Sequence, residues 1–131
     1  MHENGILAVA DLPEPLRLVY PTATGPILVK FGELYHSSTS HPEDIPGKES
    51  LIIRTLRGPM YLFQDDRYSN TVNFVQQAGV RHHLFVSVEI DPANREHRMK
   101  SARIHRAGRT RRLIERSTAT FGAMGLLMDG G

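Results

Sequence analysis

A chain of 131 residues, 40% hydrophobic and without cysteine, allows one domain with a core of modest size. It excludes disulfide frames, cysteine zinc sites and thiol catalysis. The formal net charge of +2 conceals an asymmetry: residues 1–91 carry 7 Lys/Arg against 11 Asp/Glu, and residues 92–131 carry 9 against 3. No apolar run approaches the roughly 20 residues of a membrane span. Met1-His2-Glu3-Asn4 lacks the basic start of a signal peptide, so a soluble, non-exported chain is expected. With a mean hydropathy of −0.32, a second copy is a natural way to complete the core.

Short apolar runs come first. Ile6–Ala10 is closed by Pro13 and Pro15, and Leu16–Tyr20 by Pro21; the two are predicted to pair as an N-terminal hairpin. Pro26–Phe31 follows between Gly25 and Gly32, and residues 36–50 read as an exposed connection. Leu51–Arg57 is β-branched, bounded by Gly47 and Gly58, and predicted as a strand, as are Met60–Phe63 and Thr71–Val75. Arg81–Ile90 is the longest alternating run. Arg81, His83, Phe85, Ser87 and Glu89 share one face, and Leu84, Val86, Val88 and Ile90 share the buried one, which should take the helices.

At Asp91-Pro92 the character changes. Asp91 suits an N-cap and Pro92 a first helical position, predicting one helix to about Gly108. A second is predicted over about 110–128, where Leu113, Ile114, Ser117, Phe121, Met124 and Met128 recur at three- and four-residue steps. Gly122 and Gly125 weaken that helix but permit a close backbone approach, including one to a neighbouring chain. The expected class is α+β in one domain, with a sheet over 1–90 and a helical tail over 91–131.

Chemistry is harder to find. The histidines have no metal-ligand spacing, and His82 and His83, adjacent on a strand, point to opposite faces. No phosphate loop or nucleophile elbow appears. An enzyme is therefore disfavoured; its sign would be a concave pocket with convergent titratable groups. The nine basic residues of the tail are too dense for a routine solvated face. They meet either a polyanion or the acidic sheet half of another subunit.

Three stretches resemble the coat proteins of single-stranded RNA bacteriophages: Leu34-Tyr35-His36-Ser37-Ser38-Thr39 leading through Pro46 into Leu51–Arg54, Arg81–Val86, and Ala123–Gly130. The resemblance implies an antiparallel meander with two C-terminal helices that interlock in a homodimer, with Leu113, Ile114, Phe121 and Met124 at the interface. It implies an icosahedral shell assembled in a bacterial cytoplasm and a sheet face that binds a genomic RNA hairpin and represses replicase translation. Carried over by position, the RNA-contacting residues are Lys30, Arg54, Arg57, Arg81, His83 and Ser87. No cofactor, metal, membrane or small-molecule substrate is expected. The alternative reading is a small nucleic-acid-binding regulator that uses its Arg-rich C-terminal helices.

Overall fold

A computed structural model describes residues 6–30, 49–93 and 95–130. It is an α+β fold built on one mixed sheet. The strands are β1 (Ile6–Asp11), β2 (Pro26–Lys30), β3 (Tyr61–Gln64), β4 (Thr71–Gln77), β5 (His82–Glu89), β6 (His97–Arg106) and β7 (Leu126–Asp129). They lie side by side in the order β1-β2-β6-β5-β4-β3-β7. Two α-helices, α1 (Glu49–Arg57) and α2 (Ala107–Phe121), pack on opposite faces. The Leu34–Thr39 lead-in, Phe31 and most of the 36–50 connection lie outside the described residues.

The alternation of β5 is the organising feature. Leu84, Val86, Val88 and Ile90 enter the main core, together with Val72 and Phe74 of β4. That face is covered by Leu51, Ile52 and Leu56 of α1 and by Leu16. The four residues are 0–2% exposed, so the single chain buries the face expected to need C-terminal helices. Burial of each such side chain contributes about 1.5–3 kcal/mol.

Four sequence expectations are corrected. Leu51–Arg57 is helical because Leu51, Ile52, Thr55 and Leu56 form one buried face at i, i+1, i+4 and i+5 spacing. Its β-branched content mimicked a strand, but Thr55 uses its hydroxyl locally, donating to the Leu51 carbonyl at 2.7 Å. Leu16–Leu18 falls in a 3₁₀ turn, Glu14–Leu18, so β1 takes β2 as its antiparallel partner. The sheet is not a pure meander, since β2 runs parallel to β6.

The fourth correction bears on function: residues 97–106 form β6, not a helix. Opposite β5, Ser87 pairs with Ser101 and Val88 with Met99, leaving Lys100 as an extra residue in a bulge. The bulge lets Met99 and Ala102 both face the core. Their three-residue separation therefore imitates a helical step. Only one α-helix remains in the tail, α2, and the last residues return to the sheet as β7 beside β3. The boundary at residue 90 thus does not separate sheet from helices.

Two close contacts hold these connections. His97 is fully buried where β2 meets β6; its Nδ1 accepts the Asp91 backbone N–H at 2.9 Å. Nε2 must then carry the proton, and it donates to the Thr24 carbonyl at 2.9 Å. Past the end of α2, a Cβ on Gly125 would stand 2.7 Å from the Ser117 backbone. The close approach anticipated for this glycine occurs within the chain.

Candidate nucleic-acid interface

The face of the sheet opposite α1 is only half covered. At one end, α2 sets Leu113 and Ile114 over a small cluster of Phe63, Val75 and Phe85. Beyond that cluster the sheet lies open, and a groove of about 550 Å³ runs between it and α2. The outward residues of β6, interrupted by the bulge, bring Lys100, Arg103 and His105 to this groove. Arg109 joins them from the first turns of α2, and Arg67 from the β3–β4 turn.

An uncharged polar floor lies between these cations. Ser87 of β5 donates to the Asn73 side-chain carbonyl of β4 at 2.7 Å, across a Ser87–Asn73 register pair. Thr71 and Ser101 line the same space. Asp65 is the groove's carboxylate, and its oxygens are engaged in building the turn. Oδ1 accepts the backbone N–H groups of Arg67 and Tyr68 at 2.8 and 3.1 Å, and Oδ2 accepts from the Asn73 amide at 3.2 Å. Both oxygens are thereby held by local donors. Lys100 stands 3.7 Å from Glu89, with both side chains about half exposed, a contact of little energetic weight.

Two features mark the groove as more than an ordinary solvated surface. The Arg109 Nε is buried and finds no hydrogen-bond partner among the described residues, although buried donors are nearly always satisfied. The His105 ring packs edge-on against Phe85, with centroids 5.1 Å apart, which fixes an imidazole at the groove wall.

The sequence-predicted contact residues do not converge. Ser87 lies in the groove. His83 is buried at the start of α2, with Nδ1 2.6 Å from the Thr110 hydroxyl, and burial lowers its pKa. Arg81 is exposed at the head of β5, and its carbonyl receives the first N–H of α2. Arg54 and Arg57 belong to α1 on the opposite face, where the Arg57 Nε donates to the Val9 carbonyl at 2.8 Å. Lys30 ends β2, opposite Ile6. Of the expected interface residues, Leu113 and Ile114 pack on the chain's own sheet, while Phe121 and Met124 are exposed at 37% and 43%.

Lys100, Arg103 and Arg109 were visible only as part of a basic tail, and Arg67 only as part of a turn. The signal on β6 was the outward set Lys100, Arg103 and His105, legible once a bulge is allowed. Other tail charge stays within the chain: Arg116 grips Asp66 through Nε and Nη2, both at 3.0 Å. Among the described residues, no cluster of His, Asp or Glu is placed to hold a metal ion, and no helix is long and apolar enough to cross a membrane. Comparison with family models, curated proteins and solved structures finds no match for this chain.

Proposed function

We propose that this protein binds single-stranded RNA in the groove between α2 and the open half of its sheet. The observation that carries this is the convergence of Arg67, Lys100, Arg103 and Arg109 on one concavity whose sole carboxylate is tied up in its own turn. Arg109 lines the groove, and it is the outer end of its guanidinium, not the buried Nε, that would meet a phosphate oxygen there. On the floor, Asn73 and Thr71 are buried and already hydrogen-bonded, so the hydroxyls of Ser87 and Ser101 are the polar groups a 2′-hydroxyl or base edge would meet. The coat resemblance also placed RNA on a sheet face, one made continuous by a dimer in which each copy's two helices pack over its partner's sheet. Here α2 occupies its own sheet and β6 takes the place of the first helix, so the RNA-binding part of that expectation is the part we carry forward. The test is fluorescence anisotropy with a labelled single strand over a salt series. Arg103→Ala and Lys100→Ala should each reduce the salt slope by about 0.7. An unchanged slope in both would overturn the groove as the phosphate site.

His105 favours a second reading, that the groove also cleaves the RNA it holds. In such cleavage the 2′-hydroxyl oxygen bonds to the adjacent phosphorus, the bond to the 5′ oxygen breaks, and a 2′,3′-cyclic phosphate and a 5′-hydroxyl result. An imidazole serves this exchange by accepting the 2′-hydroxyl proton or protonating the departing oxygen, while neighbouring cations stabilise charge on the phosphoryl oxygens. His105→Ala should then slow appearance of the cyclic phosphate about 10²–10⁴-fold without matching loss of affinity. Intact RNA after prolonged incubation with the wild-type protein would reject cleavage and leave binding standing.

A further inference from the structure

Beyond the groove, across the β3–β4 turn, lies a second concavity of about 450 Å³ with a different character. Two of the chain's exposed large hydrophobic residues, Tyr68 (62% exposed) and Phe121 (37%), face it from the turn and from the end of α2. Tyr20 closes it from the N-terminal segment. The turn is a shared wall: Asp65, Arg67, Tyr68 and Thr71 line both concavities. Its shape is set by the Asp65 hydrogen bonds and by Asn70, whose φ of 55° reverses the chain into β4. The Arg67 guanidinium lies over the Tyr68 ring, 5.6 Å from its centroid, so one cation and one aromatic face form a unit on that wall.

Exposed aromatic rings beside a phosphate-binding track are the arrangement that holds unstacked bases, because every base offers a π-face whatever its sequence. From this we infer that the Tyr20–Tyr68–Phe121 concavity is a base-stacking subsite, which takes an unpaired nucleobase of the strand whose phosphates occupy the cationic groove. The inference rests on the RNA-binding reading and sharpens it: the ligand must be single-stranded, since a base held in a duplex stack cannot turn into the concavity. Arg67 sits where the backbone crosses from one concavity to the other. Tyr20, half-buried with its phenol pKa raised by that burial, is neutral at physiological pH and presents an uncharged ring.

The experiment compares a labelled oligouridylate of about ten nucleotides with an abasic strand of the same length, by fluorescence anisotropy. Wild-type protein should prefer the strand with bases. Tyr68→Ala and Phe121→Ala should each weaken its binding roughly tenfold or more while leaving the abasic strand unaffected. Both side chains are exposed, so the variants should fold, and Tyr68→Phe should retain the preference. Equal affinity of the wild type for both strands, or a preference that survives both alanine variants, would overturn the stacking subsite and leave the phosphate groove intact. Binding of neither strand would remove the groove reading and the subsite with it.

Discussion

The two faces of the sheet are built from the same strands and serve opposite ends. Toward α1, alternate residues of β4 and β5 (Val72, Phe74, Leu84, Val86, Val88) are 0% exposed and entirely apolar. Toward α2, the intervening residues grade from Phe85 and Val75 under the helix to Asn73, Ser87 and Thr71 beyond it. A fifteen-residue helix covers only part of that second face, and the uncovered part holds the cations. One face supplies stability; the other is left incomplete, and it is there that we propose RNA binds.

Neighbouring residues on β5 separate the two roles most sharply. Val86→Asp places an unpaired carboxylate in the dry core and should cost more than about 4 kcal/mol, abolishing the cooperative thermal transition. Ser87→Asp, one residue along, should shift stability by no more than about 1 kcal/mol but weaken RNA binding severalfold, because the new charge faces the phosphate site. Equal destabilisation by the two would erase the distinction between the faces.

The seam behind α2 should respond next. Gly125→Val would drive a Cβ into the Ser117 backbone and should cost about 1–3 kcal/mol, read as a lowered denaturation midpoint. A smaller effect is expected from acid. The His83 pKa is lowered by burial, so the unfolded state takes up this proton more readily than the folded state. Its contribution to stability is therefore present at neutral pH and declines as pH falls through about 6.5 toward the depressed folded value. Thermal melts at about pH 7.5 and 5.5 should show a larger loss for wild type than for His83→Gln, which does not titrate there. Identical losses would detach His83 from the pH response. Smallest in stability are Lys100→Ala and Arg103→Ala, each within about 0.5 kcal/mol, whose effect appears in the salt dependence of binding.

Much of the sheet was legible because its central strands alternate without interruption. Thr71–Val75 and Arg81–Ile90 show which residues go inward, and the structure keeps that pattern. The register broke legibility at β6, where one bulged residue turned a two-residue period into a three-residue step. Local propensity misled at α1, where β-branched residues pack on one helical face because tertiary burial outweighs a weak intrinsic preference. The groove was less legible than either. Its cations sit at positions 67, 100, 103 and 109, on a turn, a strand and a helix, and only the folded sheet brings them together. Composition showed a basic tail; it did not show that Arg116 would be taken by Asp66 while Arg109 was left with an unmet donor.

The most direct test is amide NMR of the isotope-labelled protein titrated with a short oligouridylate. Shift changes should concentrate at Ser87, Arg103, His105 and Arg109, weaken with added salt, and leave α1 around Arg54 and Arg57 unmoved. Changes centred on α1, or none at saturating RNA, would contradict a ligand site on the half-covered face.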